Sequence, residues 1–149
     1  MTKPSHDTWI LVADASRARL FSTEGMGKPW HLIEDRVHPA GRLSGQEIMA
    51  DRPGRVALGS SGARSAMEPH TDPRDVEEAR FADELGDAVK AGLGQNAFRE
   101  LVLVAPPHFL GLLREAIGEQ ARRHVKASVG KDFCAVPDHE LPGRVEALI

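Results

Sequence analysis

Arginine and glycine residues are concentrated between Pro39 and Thr71, where the isolated apolar residues follow neither helical nor strand periodicity. Arginine can donate two hydrogen bonds at once to the oxygens of a phosphate, and glycines let backbone amides approach a phosphate closely. A loop of this length is uncommon inside a compact domain, so we expect it to be either functional or disordered. The candidate residues for binding RNA or another anion are Arg36, His38, Arg42, Arg52, Arg55, Arg64 and His70.

The same arginines also fit a simple solvated loop. Glu47, Asp51 and Glu68 lie in this segment, and a later predicted helix has an acidic face. Exposed ion pairs between such groups stabilise a protein very little and indicate no function. The net charge of −3 argues against a generally basic nucleic-acid-binding protein. Any contact with RNA must therefore come from a local patch.

Acidic residues follow two predicted strands, which raises the possibility of metal-dependent hydrolysis. Asp14 follows the first strand and Asp132 the fifth, but Ala105-Pro106-Pro107 follows the central strand without an acid. Because a two-metal nuclease needs several converging carboxylates, the set is incomplete. We expect Asp14 to be a turn residue and Asp132 a helix or loop cap, with no metal site.

Other catalytic patterns are not visible in the sequence. The histidines lack ligand spacing such as HExxH, and Ser16 lacks the context of a nucleophile elbow. His108 lies at the start of a predicted helix, where we expect it to be exposed. Cys134 is the only cysteine, which excludes an intrachain disulfide and a cysteine-rich zinc site. We predict no cofactor.

The predicted elements that position these residues have an α/β order. The apolar run at 101–105 indicates a strand buried on both faces, and Pro107 is suited to the first position of the helix that follows. Three earlier strands, a helix beginning at Pro73, a fifth strand and a terminal helix complete the pattern. The first three strands are predicted to be antiparallel, and the order helix-strand-helix-strand-helix follows, as in an RNase H-like layered sheet. The other predicted strands lie at 9–13, 18–23, 31–38 and 125–130, and the terminal helix contains Leu141, Val145 and Leu148.

Three segments have a recognisable pattern: Trp9 to Phe21, Gly54 to Glu68 followed by Phe81-Ala82, and LVLVAPPHFLGLLR ending at Arg114. They resemble the bacterial family named for attachment to host cells, which is also described as bacterial relatives of the archaeal and eukaryotic release factors. The resemblance covers about residues 9–133. It implies a fold like the central domain of those release factors, and the family name implies a role in adhesion.

The resemblance also suggests a comparison for Ser44-Gly45-Gln46. In the release factors the corresponding loop carries Gly-Gly-Gln, whose glutamine enters the peptidyl-transferase centre. Here a serine replaces the first glycine and adds a Cβ where the release factors have none, which counts against peptide release. Gln46 and Asp14 are the candidate catalytic residues for a release-type esterase or an RNA hydrolase.

The chain has the size and composition of one soluble domain. It has 149 residues, 41% apolar and 28% charged, which is enough for one core. We predict a flexible tail at 1–8 and a single domain at 9–149 with a long loop at 39–71. The sequence has neither the apolar core of a secretory signal nor the ~20 apolar residues that span a bilayer. The expected location is the cytoplasm.

These observations lead to three functional hypotheses. The first is a noncatalytic cytoplasmic binding module whose arginine- and glycine-rich loop contacts RNA or the ribosome. The second is a protein-interaction factor involved in attachment to host cells. The third is the esterase or RNA hydrolase that would use Gln46 or Asp14. The sequence does not determine the oligomeric state.

Overall fold

A computed structural model of the chain describes residues 8–25, 27–38 and 73–149, without the side chain of Arg74. Within these ranges the protein is a mixed α/β domain with five strands and three α-helices. A short 3₁₀ turn at Asp138–Glu140 precedes the last helix. The elements are β1 (Thr8–Ala13), β2 (Arg17–Thr23), β3 (Trp30–Val37), α1 (Pro73–Gly94), β4 (Glu100–Val104), α2 (Pro107–Arg122), β5 (Val125–Val129) and α3 (Leu141–Glu146).

The strands form one open sheet in the order β3-β2-β1-β4-β5. β2 is antiparallel to both β1 and β3, while β4 is parallel to both β1 and β5. The helical connections α1 and α2 make these parallel pairings possible, because a parallel neighbour requires a crossover. The mixed α/β class and the order of elements predicted from the sequence are confirmed.

The two faces of the sheet are covered by different parts of the chain. On one face, α1 and α2 pack over Leu11, Leu20 and Leu103. On the other face, the C-terminal segment places Leu141 and Val145 against a second apolar cluster. β4 lies between β1 and β5 and is fully buried from Leu101 to Val104. Its continuous apolar sequence is explained by burial on both faces.

The helices α1 and α2 approach each other closely at Gly86. A Cβ added at Gly86 would lie 2.6 Å from the backbone oxygen of Ala116. Near the end of α1, a Cβ at Gly92 would lie 2.3 Å from a ring carbon of Trp9. Neither distance is compatible with a normal van der Waals contact. Both glycines are therefore required by packing.

A break in α2 lies at Gly118, where φ is +87° and ψ is +165°. Such a backbone conformation removes the regular hydrogen bonding of the helix and favours glycine. The side chain of Arg122 compensates locally, because its Nη1 donates to the carbonyl oxygen of Arg114 at 2.7 Å. The sequence pattern predicted this helix but not the break.

Several predicted boundaries differ slightly from the structure. β1 begins at Thr8, one residue before the predicted strand, and α3 ends at Glu146, so Leu148 lies outside the terminal helix and is nearly half exposed. The predicted start of α1 at Pro73 and the predicted start of α2 at Pro107 are confirmed. The predicted loop at 39–71 lies outside the described residues.

Candidate functional site

The site we consider lies at one edge of the sheet, where four strands end. β1, β3, β4 and β5 run in the same direction, because β2 alone is antiparallel to its neighbours. Their carboxyl ends therefore meet at one edge, which is where ligands bind in many open α/β sheets. The segments that follow these strands place Asp14, His38, His108 and Asp132 in this part of the molecule.

Asp14 organises the tight turn between β1 and β2. Its Oδ1 accepts hydrogen bonds from the backbone N–H groups of Ser16 at 2.8 Å and Arg17 at 2.9 Å, and from the Ser16 hydroxyl at 3.1 Å. An aspartate that bonds the backbone two residues later is a common turn former. The predicted role of Asp14 in the turn is confirmed, and the carboxylate is held in a fixed position.

Asp14, Asp132 and Cys134 form a cluster of possible metal ligands. One ligand atom from each residue lies within 4.8 Å of the other two, and two carboxylate oxygens with a thiolate match the donor preferences of zinc. However, Asp132 Oδ1 accepts a hydrogen bond from the Cys134 backbone at 3.1 Å, and the thiol lies 3.8 Å from the Arg17 carbonyl oxygen that accepts its proton. These hydrogen bonds hold two turns of the chain in place, which explains why the three side chains lie together. The predicted capping role of Asp132 is confirmed.

The thiol of Cys134 is poorly suited to reaction. Burial raises its pKa strongly, and the neighbouring carboxylates of Asp14 and Asp132 raise it further. Both effects disfavour the thiolate, which is the nucleophilic form. Cys134 therefore contributes to packing at this edge in its protonated form.

An open cavity of about 370 Å³ lies beside Asp14. Its wall combines the β1–β2 turn, the start of α2 and a side chain from the first turns of α1. The lining residues are Asp14, Ala15, Ser16, Glu78, Pro106, His108 and Phe109. Glu78 Oε1 lies 3.4 Å from His108 Nε2, and His108 itself is largely exposed, as expected from its position in the first turn of a helix.

This arrangement does not form a serine nucleophile with its base. The hydroxyl of Ser16 donates to Asp14, whereas His108 pairs with Glu78. A nucleophilic serine needs a hydrogen bond to its general base. The contacts at this edge instead provide fixed carboxylates, one imidazole and one hydroxyl around an open cavity, which is a binding arrangement.

Two of the predicted anion-binding residues lie near this edge but are paired with carboxylates. Arg36 donates from Nε to Glu34 at 2.8 Å and also lies 3.9 Å from Glu84. His38 is buried, stacks on Phe81 and places Nε2 3.1 Å from Glu77 Oε1. These contacts connect the end of β3 to the first half of α1.

Comparison with known protein families identifies the chain. The model of a family described as "Protein required for attachment to host cells" matches residues 9–145. The chain belongs to this family. A comparison with curated proteins finds no match.

Two of the three segments that resemble the host-attachment family correspond to structural units, and the third, Gly54 to Glu68, lies outside the described residues. Trp9 to Phe21 forms β1, the Asp14 turn and most of β2, and the block ending at Arg114 forms β4 and the first half of α2. Both segments pass through the edge with the cavity, because Asp14 lies inside the first and Pro106 inside the second. The other predicted site residues, Arg42, Gln46, Arg52, Arg55, Arg64 and His70, lie outside the described residues, so their roles stay predictions.

A second surface of this host-attachment family member is the outer strand β3. Leu32, Ile33 and Val37 are exposed by 48%, 46% and 48%. Within the part of the chain that the structure describes, β3 pairs only with β2, so the other side of its backbone is open. No helix among these residues combines the length and hydrophobicity needed to cross a membrane.

Sequence reasoning missed the role of Arg19. Although it is charged, its side chain is almost fully buried. It donates hydrogen bonds to the carbonyl oxygens of Phe133 at 3.1 Å and Cys134 at 3.0 Å. It also pairs with Asp138. The alternation of β2 places Arg19 on the same face of the sheet as the apolar Phe21. An arginine on an otherwise apolar face could have indicated that backbone carbonyl groups of another segment pack against it. Arg19 holds the segment that carries Cys134 against the sheet.

Proposed function

We propose that this protein supports attachment to host cells as a noncatalytic factor that binds a partner protein along β3. Membership of the host-attachment family suggests the process. The observation that carries the proposed mechanism is the exposure of Leu32, Ile33 and Val37 on a strand at the edge of the sheet. An extended segment of a partner can pair with such an edge through its main chain while apolar side chains supply contact area.

The charges in the middle of β3 do not oppose such a partner, because they are paired within the chain. Asp35 lies 3.2 Å from Arg17, while Glu34 and Arg36 pair with each other. Edge strands without protection are sites of association, and charged side chains commonly prevent it. A bulge interrupts the pairing of β3 with β2 between Leu20 and Phe21 and leaves Ile33 without a partner residue on β2, so we expect the partner to contact the exposed side chain of Ile33.

The test is an attachment assay with cells in which the gene is replaced by the Ile33→Lys variant. A lysine at this exposed position adds a charge to the proposed contact while leaving the core intact. We expect attachment to fall toward the level of a deletion strain. The matched control is Ala91→Lys, which adds the same charge at an exposed position of α1.

Two results would contradict this surface. Normal attachment by the Ile33→Lys strain, with the variant present at its usual level, would show that β3 is not used. An equal loss in the Ala91→Lys strain would indicate an effect of charge alone. Recovery of the partner by crosslinking from an introduced cysteine at Leu32 would identify the protein that binds.

A second proposed function is RNA or ribosome binding by the arginine- and glycine-rich loop at 39–71. The composition of that segment supports it, since arginine pairs with phosphate. Co-sedimentation with ribosomes over a salt series, for wild type and for an Arg42, Arg55 and Arg64 triple-alanine variant, tests the idea. Contacts with phosphate should weaken steeply as salt rises. Binding that is insensitive to both salt and the substitutions would refute it.

We also propose a cytoplasmic location and an RNase H-like relationship to the central domain of the release factors. The order of elements and the three antiparallel strands at the start of the sheet support the relationship.

A release-type esterase or RNA hydrolase remains the third hypothesis, and unchanged turnover after Gln46→Ala and Asp14→Asn would exclude those two residues from it. Cell fractionation tests the location, and recovery of the protein at the cell surface would contradict it.

A further inference from the structure

The sequence of β3 is complementary to itself when two copies of the strand run antiparallel. Glu34 and Arg36 flank Asp35. Ile33 and Val37 are the next residues on either side. If two copies pair about a twofold axis at Asp35, each glutamate faces an arginine and each isoleucine faces a valine. We propose that the partner bound along β3 is a second copy of this chain. The inference rests on the proposed function, because it uses the same surface.

The backbone of β3 directs the required hydrogen-bonding groups away from β2. His38 donates its N–H to the Ser16 carbonyl oxygen at 2.8 Å, in register with the pairing of β2 and β3. Because hydrogen-bonded and non-hydrogen-bonded residues alternate in an antiparallel pair, Arg36 and Glu34 direct their N–H and C=O groups toward β2. Those of Asp35 therefore point to the outer side, where no strand among the described residues pairs with β3.

The alternation restricts where the twofold axis can lie. Residues that face each other must have the same backbone direction, so the axis passes through a residue and not between two residues. An axis at Glu34 would place Asp35 opposite Ile33, and an axis at Arg36 would place Asp35 opposite Val37. Both put a charge against an apolar side chain. The axis at Asp35 instead places opposite charges across from each other, which stabilises a sheet.

Burial on the two faces of β3 agrees with this register. Glu34 and Arg36 line the same small cavity as Leu20 and residues of α1. Their side chains pair with each other but remain 39% and 32% exposed, so each can also reach the second copy. Ile33 and Val37 are nearly half exposed. Contact between the two copies would remove this apolar surface from water, which favours association.

The central Asp35 would face its own copy, and Arg17 compensates for this pair of like charges. Arg17 Nη2 donates to Asp35 Oδ2 at 3.2 Å, and its Nε donates to Oδ1 at 3.4 Å. Two arginines would therefore accompany two aspartates at the axis. Charged side chains and bulges commonly protect an edge strand from association. Here the charges favour a strand with the matching order of charges, which the chain itself has.

The test measures association of the full chain by sedimentation velocity over a concentration series. One short pair of strands buries little surface, so we expect a dimer that dissociates on dilution in the micromolar range. Glu34→Arg and Arg36→Glu each place like charges opposite each other when two identical chains pair. Each variant alone should dimerise about tenfold more weakly, because two attractive cross-strand pairs become repulsive. An equimolar mixture of the two variants restores both pairs of opposite charge and should dimerise as the wild type does.

The matched control is Arg80→Glu, which also reverses the charge of an arginine that pairs with a glutamate of the chain, here Glu77, but lies on α1. It should leave association unchanged. Recovery in the mixture would also show that both β3 variants are folded. A wild type that is monomeric at every concentration would overturn the proposal, as would a dimer that neither variant weakens or a mixture that associates no more than its components.

Hydrogen–deuterium exchange identifies what covers the edge. The N–H of Asp35 should be protected at high protein concentration and should exchange rapidly on dilution. Protection that persists in a monomer would show that another segment of the same chain pairs with β3. Rapid exchange at every concentration would show an edge left open for a different protein. Both results contradict a second copy.

The attachment assay is a separate measurement. Dimerisation of the wild type together with normal attachment by the Ile33→Lys strain would refute the role of β3 in attachment alone. Loss of attachment in that strain, with a wild-type protein that is monomeric, would refute the second copy alone and leave the proposed function standing.

Discussion

Replacing Gly86 with alanine tests the closest contact between α1 and α2. The new methyl group would lie 2.6 Å from the backbone oxygen of Ala116 and 2.8 Å from its Cβ. The partner is backbone, so no side-chain rotation can relieve the contact. The two helices must separate, and this separation would disturb the layer that both helices form over the sheet.

The size of the effect can be estimated by pairing this variant with Gly111→Ala. Gly111 lies inside α2, is exposed and has no neighbouring atom within 4 Å of an added Cβ. Alanine in a helix interior is favoured over glycine by about 1 kcal/mol, so Gly111→Ala should stabilise the protein. Gly86→Ala has the same gain but adds overpacking, which costs ~1–3 kcal/mol. The difference between the two variants therefore isolates the cost of the contact.

The free energy of unfolding can be measured by urea titration with tryptophan fluorescence. Trp9 is buried in the core and should report the loss of tertiary structure. We expect Gly86→Ala to be less stable than Gly111→Ala by about 1–3 kcal/mol, with similar dependence of the unfolding energy on urea. Equal stabilisation by both substitutions would show that the helices lie farther apart than described, and the packing argument would fail.

Three further predictions concern single residues. Arg19→Met should destabilise the protein by about 2–4 kcal/mol, because two buried carbonyl oxygens lose their hydrogen-bond donor. Asp138→Asn should cost less than about 1 kcal/mol in the same urea titration, because Asp138 is half exposed. Gly118→Ala should cost ~1–2 kcal/mol, since φ is positive there, and a stabilised variant would show that α2 is continuous. Cys134 should react with iodoacetamide much more slowly than free cysteine at pH 8, because burial and nearby carboxylates raise its pKa; rapid reaction of the folded protein would contradict its buried position.

The elements with strong local signals were predictable from the sequence. The continuous apolar run placed β4 to within one residue at each end, and Pro107 correctly identified the start of α2. The Asp14 turn was also predictable, because an aspartate bonds its own backbone through local geometry. In each case the residues that determine the structure are neighbours in the sequence.

The features that were not predicted depend on contacts between distant residues. The grouping of Asp14 with Asp132 and Cys134 requires β1 and β5 to end at the same edge, although more than a hundred positions separate the two aspartates. The pairing of Glu78 with His108 requires α1 and α2 to lie side by side. Neither contact has a periodic signature in the sequence, because both follow from the order and direction of the strands.

The direction of the strands also explains why binding chemistry is concentrated at one edge. The segments after β1, β3, β4 and β5 all emerge there, and α2 begins there directly after β4. β4 is apolar from Leu101 to Val104, so the polar groups at its carboxyl end come from the segment that follows it. Asp14, His38 and His108 all follow a strand in this way; Asp14 is held by its own turn, while His38 and His108 contact carboxylates of α1. A ligand at this edge would contact several structural elements at once, whereas a partner on β3 would contact one strand. The attachment assay on β3 consequently tests a surface separate from this edge.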